Sequence, residues 1–193
     1  MRKTKFLIIC VCIITVLSLL SGCRVILTRE ASKEKPVKPQ MVKIDARVNL
    51  KSQKIIIRGN STLPAGARLD VNLKPYSEDA PREEIEPYLV EPEETVLASA
   101  TTKVNDDGSI ELTVLKRPDP GKRYRLDLLF IPSRQPEDIV FEENIEDSDG
   151  FTALTFAGET MSGLLMHVNI FKEDELFGDN ITMDFIPMQK QPE

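Results

Sequence analysis

Residues 42–58 read VKIDARVNLKSQKIIIR, and this stretch decides the fold class. In its first half, from 42 to 50, apolar residues alternate with charged or amide residues, which is the pattern of a strand with one buried and one solvated face. The second half places Ile55, Ile56 and Ile57 in succession, as expected for a strand that is covered on both faces. The stretch therefore predicts two neighbouring strands, the second of them near the centre of a sheet.

Two further stretches, 68–74 and 123–130, show the same alternation and predict two more strands of the core. In the second of these, Arg125 and Asp127 fall on the face opposite the apolar residues. Residues 105–108, Asn-Asp-Asp-Gly, tolerate left-handed backbone and predict a hairpin that joins strands over 95–104 and 109–115.

Turns are predicted at 59–62 and 64–66, because glycine, asparagine, serine and proline cluster there. The remaining strands are predicted at 138–141, 151–157, 164–171 and 181–186, with 158–163 as a connection. No segment repeats its apolar residues at 3.6-residue spacing for long, and a short helix within 80–89 is the one helical prediction.

Many short strands separated by turns predict an all-β, antiparallel sandwich that forms one domain over residues 41–193. Residues 59–66 and 120–126, the latter Pro-Gly-Lys-Arg-Tyr-Arg-Leu, resemble motifs of immunoglobulin-like bacterial surface domains. The resemblance covers the predicted core strands, 41–131, and implies a tyrosine corner in which Tyr124 bonds back toward Asp119. The absence of tryptophan and of paired cysteines departs from true immunoglobulin domains, and 132–193 is expected to supply further strands or a small subdomain.

The N-terminus reads as a secretory signal peptide over residues 1–22: a basic start, an apolar stretch from 6 to 20, then Ser21 and Gly22. Its end, Leu20-Ser21-Gly22-Cys23, resembles the lipobox of bacterial lipoproteins. The resemblance implies cleavage between Gly22 and Cys23 and a diacylglyceryl group on the Cys23 thiol. Cys10 and Cys12 leave with the signal peptide, so Cys23 would be the only cysteine of the mature chain, which excludes intramolecular disulfides and cysteine-ligated zinc.

The charge is unevenly distributed along the chain. The whole chain has 25 basic and 31 acidic residues, of which the signal peptide contains three basic ones. Residues 23–40, a proline-containing tether, sum to +3, and residues 41–193 sum to −12. A basic tether suits an anionic membrane surface, whereas a strongly acidic domain repels nucleic acid. A plain solvated spacer is the alternative interpretation of the tether.

No catalytic or cofactor-binding motif stands out. His167 is the only histidine, and at strand spacing it falls on the face opposite Met166 and Val168. No nucleophile-elbow pattern surrounds any serine, and a structural or surface role for His167 is favoured over a catalytic one. The acidic residues in 78–94 are compatible with a calcium site, but their prolines and glutamates favour a long solvated loop. We therefore expect neither a metal nor a cofactor.

The leading hypothesis is a non-enzymatic binding or adaptor module of the bacterial cell envelope. It would be extracytoplasmic and held by lipid on Cys23 at the cell membrane, or at the outer membrane if the organism has one. Its candidate contact with an envelope protein is the acidic loop, through Glu83, Glu84, Glu86, Glu91, Glu93 and Glu94. The alternatives are an envelope enzyme or enzyme inhibitor that uses surface carboxylates or His167, and a calcium or ligand sensor.

Overall fold

The computed structural model describes residues 42–141, 145–148, 150–156, 158–176, 178 and 180–188. These residues belong to one compact unit. The described strands are β1 (Ile44–Lys51), β2 (Lys54–Ser61), β3 (Arg68–Pro75), β4 (Ala98–Lys103), β5 (Ser109–Lys116), β6 (Tyr124–Phe130), β7 (Phe151–Phe156), β8 (Glu159–Ile170), β9 (Asn180–Asp184) and β10 (Ile186–Pro187). The described helices are α1 (Arg82–Ile85) and single 3₁₀ turns at Pro132–Arg134, Ile145–Asp147 and Glu173–Glu175.

Two antiparallel sheets form a sandwich, which confirms the predicted all-β fold class. The first sheet has the order β5-β2-β1-β9, and the second has the order β10-β8-β6-β3-β4, with β7 paired to β8. The inner trios, β1-β2-β5 and β3-β6-β8, follow the immunoglobulin-like arrangement of strands A, B and E against C, F and G. The fourth strand differs from a constant-type domain, because β4 pairs with β3 in the second sheet and not with β5 in the first.

The apolar residues of both sheets meet in one core between them. Val48, Ile55 and Ile57 from the first sheet and Leu126 and Leu128 from the second have no exposed surface. Since successive side chains of a strand point to opposite faces, Ile56 lies on the outer side, where it is only half-buried. The prediction that β2 is covered on both faces is therefore wrong, although its central place in the sheet is confirmed.

The predicted tyrosine corner is present at the start of β6. The Tyr124 hydroxyl donates to the Asp119 carbonyl oxygen at 2.9 Å and accepts from the Asp119 backbone N–H at 3.0 Å. This pair of bonds satisfies the fully buried phenol and fixes the loop that enters β6.

The predicted hairpin over 95–104 and 109–115 is wrong beyond its turn. Asn105–Gly108 does turn the chain, with a bond of 3.0 Å from the Gly108 N–H to the Asn105 carbonyl oxygen. However, β4 and β5 belong to different sheets, and a single bridge between Val104 and Ile110 joins the two segments. The turn therefore carries the chain across the sandwich.

Residues 59–61 are strand and not turn, because β2 continues to Ser61. Gly59 makes this possible: a Cβ there would lie 2.3 Å from the Asp45 carbonyl oxygen of β1. The glycine thus marks a close approach of two strands at an irregularity in the β2–β5 register.

Two predictions for the C-terminal third are also wrong. Residues 138–141 are not a strand, because a turn closed by a 3.0 Å bond from the Ile139 N–H to the Pro136 carbonyl oxygen leads into irregular backbone. Residues 159–163, expected as part of a connection, begin the long strand β8, whose first half pairs with β7 in a hairpin. The strands predicted near 151–157, 164–171 and 181–186 are present as β7, β8 and β9.

Candidate functional site

The connection between β3 and β4, residues 76–97, crosses the outer face of the second sheet, and we call it the strap. It carries eight acidic residues and one basic residue. Its ends are fixed by backbone bonds of 3.0 Å from the Tyr76 N–H to the Arg123 carbonyl oxygen and of 2.9 Å from the Leu97 N–H to the Leu73 carbonyl oxygen. The prediction of a long solvated loop is correct only for its outer surface.

The inner side of the strap is anchored by apolar residues. The helix predicted within 80–89 is present as the single turn α1, where the Ile85 side chain is fully buried. Ile85 packs with Tyr76 and Ala80 in a small cluster that includes Phe171 at the end of β8. Above that ring, the Arg82 guanidinium lies 4.9 Å from the ring centroid of Phe171, within the range of a cation–π contact.

Beneath the strap, β6 presents a buried ionic network. The Arg125 Nε donates to Asp127 Oδ1 at 2.7 Å, and Arg125 also bonds with the Glu91 carboxylate of the strap. Lys74 of β3 lies 3.4 Å from Asp127 on the other side. Burial opposes the charge of Arg125, but Asp127 and Glu91 outweigh it and raise the pKa of the guanidinium. The prediction placed Arg125 and Asp127 on the correct face, but the strap removes them from solvent.

His167 of β8 lies on the same outer face, as its alternation with Met166 and Val168 predicted. Its ring stacks under Tyr88 of the strap, with 4.2 Å between the ring centroids and 13° between the planes. Burial, assisted by the positive charge of Arg125, lowers the pKa of His167. Its Nδ1 atom is buried and has no hydrogen-bond partner within the described part of the chain.

Tyr88 adopts a φ of 60°, in the left-handed region that a bulky side chain rarely occupies. Such a conformation persists only where the surroundings hold it, and here the stacked imidazole and the neighbouring Ile85 turn do so. Burial raises the pKa of the Tyr88 phenol. The stack therefore fixes the middle of the strap to the second sheet.

Asn169, next along the outer face of β8, joins the two ends of the anchored segment. The Tyr76 hydroxyl donates to its Oδ1 at 2.8 Å, and its Nδ2 donates to the Ile85 carbonyl oxygen at 2.7 Å. Burial is the main cause that raises the pKa of Tyr76. Every polar atom of the Asn169 side chain thus has a partner in the strap.

A second ion pair fixes the start of the strap. The Arg123 guanidinium pairs with both carboxylate oxygens of Glu175, and its Nη1 donates to the Ala80 carbonyl oxygen at 2.8 Å. Hydrogen bonding to Arg123 lowers the pKa of Glu175 to about 2. The pair connects the strap to the 3₁₀ turn at Glu173–Glu175 after β8.

The outer surface of the strap is the acidic crest, which we define as the six glutamates predicted as a contact. All six are exposed: Glu83, Glu84, Glu86, Glu91, Glu93 and Glu94. Glu91 differs from the others because its carboxylate already pairs with Arg125. Among the described residues, no group of three or more histidine, cysteine or acidic side chains has the geometry to hold a metal ion.

The sequence did not reveal the polar network because its members come from four separate segments. Two signals were available: the three tyrosines of the chain include Tyr76 and Tyr88 in the acidic segment, and strands β6 and β8 carry polar residues at alternate positions. Aromatic residues within an otherwise charged connection indicate that the connection packs against the rest of the domain.

The lipidation and cleavage predictions, Cys23 and Gly22, lie outside the described residues, as does the tether to residue 40. Within the described ranges, no helix combines the length and apolar character needed to cross a membrane. Comparison with protein-family models, with curated proteins and with solved structures finds no match for this chain.

Proposed function

We propose that this chain is a lipid-anchored binding module displayed outside the cytoplasm of a bacterium, where its acidic crest binds a basic envelope protein. The observation that carries the proposal is that the crest is held in place. Its six glutamates belong to the strap, which Ile85, Tyr88 and Tyr76 hold against the second sheet. An array of charges that is already held in place is preorganised, so little conformational entropy is lost when a partner binds to it.

The electrostatics support a basic partner. Apart from Glu91, the one crest glutamate that forms an ion pair within the strap is Glu86, at 3.7 Å from Arg82. The other four glutamates have none there. Clustered negative potential speeds the encounter with a positively charged surface and sets its orientation. The crest is therefore suited to recognition more than to stabilising the fold.

A non-enzymatic role is supported by the position of the histidine. General acid–base catalysis requires a ring that reaches the substrate. His167 is 4% exposed and lies beneath Tyr88, so a substrate would have to displace the strap before reaching it.

The anchor is supported by the Leu20-Ser21-Gly22-Cys23 sequence at the end of an apolar stretch. Two or more acyl chains on one cysteine hold a protein stably on a bilayer, whereas one chain gives marginal binding. Mass spectrometry of the N-terminal peptide from membranes of the native host should show a diacylglyceryl group on Cys23. High salt should release the Cys23→Ser variant from the membrane fraction but leave the acylated parent chain there, because salt screens surface charge and not acyl insertion. An unmodified thiol would reject the anchor.

The crest is tested by crosslinking and affinity capture from the native envelope. Glu83→Gln, Glu84→Gln and Glu93→Gln in one chain should remove the captured partner, while leaving Glu91 and the strap anchors intact. The matched control carries Asp106→Asn, Glu137→Gln and Asp138→Asn, three exposed acidic residues outside the strap. A partner retained by the crest variant, or lost equally from the control, would reject the crest as the contact.

A further inference from the structure

The outer face of the first sheet differs in character from the strap side, and we call it the open face. Its strands carry five basic and three acidic residues: Arg47, Lys51, Lys54, Arg58 and Lys116 against Asp45, Glu111 and Asp184. No connection comparable to the strap crosses it in the described part of the chain. In a domain with a net charge of −12 over 41–193, this face has a local excess of positive charge.

The centre of the open face is apolar. Ile56 of β2 stands directly opposite Val114 of β5, and Leu112 follows at the irregularity in their register. Val114 is 51% exposed and Leu112 is 56% exposed, so two large apolar side chains stand in solvent on the edge strand. A soluble sheet normally places polar residues on such a face and charges on such an edge.

Basic residues flank this apolar centre at both ends of the same strand pair. Lys54 lies directly opposite Lys116, and Arg58 follows Ile57 on β2. Lys51 lies directly opposite Lys54 on its other side, so three lysines stand side by side across β1, β2 and β5. Like charges placed directly opposite each other destabilise a strand pair. An external surface of negative charge would remove the repulsion.

We propose that the open face docks on an anionic lipid bilayer, with Leu112, Val114 and Ile56 entering the headgroup region and the surrounding lysines and arginines binding lipid phosphates. Apolar side chains that enter the interface, combined with basic residues around them, are the features of interfacial membrane binding. The proposal deepens the proposed function and rests on it only for bringing the domain to a bilayer.

The tether and the opposite side of the domain agree with this orientation. Residues 24–41 link Cys23 to the strand that begins at Ile44 in the first sheet, and extended they span up to about 60 Å, which allows the open face to reach the bilayer. The strap lies on the outer side of the other sheet, so docking by the open face directs its eight acidic residues away from anionic lipid. The acidic crest is then free to bind a partner.

The test uses the complete chain after residue 22 with Cys23→Ser, so that no acyl chain contributes. Flotation with phosphatidylcholine vesicles that contain phosphatidylglycerol should show salt-sensitive binding, and pure phosphatidylcholine should show little. Lys54→Glu with Lys116→Glu should weaken the partition coefficient at least about tenfold. Leu112→Ser with Val114→Ser should weaken it roughly fivefold.

The structure offers a matched control for each pair. Arg68 and Lys103 also face each other directly, but across β3 and β4 of the second sheet, so Arg68→Glu with Lys103→Glu changes the net charge equally. Leu89 and Val140 are 72% and 82% exposed elsewhere on the domain, so Leu89→Ser with Val140→Ser is the apolar control. Both controls should bind vesicles as the parent chain does.

Equal binding by the open-face variants and the parent chain would overturn the proposal. An equal loss of binding in the controls would also overturn it, because binding would then depend on net charge and not on the open face. Analytical ultracentrifugation of the same samples identifies another occupant: a dimer that only the Leu112 and Val114 changes dissociate, without a change in vesicle binding, would assign the face to a second copy. Because the tested chain has no acyl group at position 23, the assay can succeed or fail independently of whether Cys23 is acylated in the host.

Discussion

The two outer faces of the sandwich each carry an arginine–aspartate pair, and the two pairs differ mainly in what covers them. On the second sheet, the Arg125 Nε lies 2.7 Å from the Asp127 Oδ1, and 6% and 2% of the two side chains are exposed. On the open face, Arg47 and Asp184 are 3.1 Å apart, with 59% and 71% exposed. The strap turns the first pair into part of the folded structure, whereas the second remains a surface pair available to an external partner.

The comparison teaches that chemically similar residues serve stability or recognition according to their solvent access. Breaking a buried pair leaves an uncompensated charge in a poorly polarisable environment, while water screens an exposed pair.

The largest effect is expected from Asp127→Asn, a change that keeps the shape but removes the charge. Arg125 would then be buried with only the Glu91 carboxylate as a direct counterion, and we expect a loss of about 3–5 kcal/mol in the free energy of unfolding. Urea denaturation measures this loss. Asp184→Asn on the open face is the reference and should cost no more than about 1 kcal/mol. Equal costs for the two variants would break the comparison.

Ile85→Ala should have the next largest effect, because it truncates the fully buried anchor of the strap. A buried isoleucine truncated to alanine typically costs about 2–5 kcal/mol. Hydrogen exchange should show faster exchange in the strap together with the loss of stability. Leu89→Ala, on the exposed side of the same strap, should stay within about 0.5 kcal/mol of the parent chain. A strap that exchanges normally in Ile85→Ala would show that its anchoring lies elsewhere.

A smaller and pH-dependent effect is expected from His167. The folded state holds the pKa of His167 below its ordinary value of 6.5, mainly through burial. As the pH falls below that value, the unfolded chain takes up a proton while folded His167 stays neutral, so the free energy of unfolding decreases.

His167→Gln removes this titration and should flatten the dependence of stability on pH between about 7 and 5. Glu175, whose pKa is about 2, loses its contribution in a separate range below its ordinary value of 4.5, so the two groups can be distinguished. Thermal denaturation across the pH series provides the measurement. An unchanged slope in His167→Gln would mean that His167 binds protons equally in the folded and unfolded chain, so that burial does not lower its pKa.

The smallest effect is expected from Val114→Ser on the open face. A half-exposed side chain contributes little to the folded state, so the stability should change by less than about 0.5 kcal/mol. A large loss of stability here would contradict the view that the residue is free to contact a partner. A small loss combined with weaker vesicle binding would strengthen it.

Alternation predicted most of the strands because one face of each lies on a single apolar core. It also placed Arg125, Asp127 and His167 on the outer face correctly. It did not predict what covers that face, because the strap meets β8 through residues distant in sequence, such as Tyr88 and His167. The same limit explains the incorrect hairpin: turn residues determine a local reversal, but the partners of β4 and β5 are β3 and β2.

The open face was foreseeable only in part. The run from Ile55 to Ile57 indicated cover on both sides of β2, because a continuous apolar run is typical of a buried strand. The structure leaves the outer side of Ile56 without a covering element among the described residues. On the proposed docking of the open face, the middle isoleucine of the run serves binding and not folding, and the sequence alone does not distinguish the two roles.

The arrangement of the two faces can be measured directly on protein that carries the proposed lipid on Cys23, reconstituted in vesicles that contain phosphatidylglycerol and brominated lipid. With Cys23 acylated, an introduced cysteine would be the only free thiol, so Val114→Cys and Leu89→Cys can each carry a polarity-sensitive fluorophore. We expect brominated lipid to quench the probe at position 114 and to leave the probe at position 89 in water. Equal quenching at both positions, or quenching at 89 alone, would contradict the account.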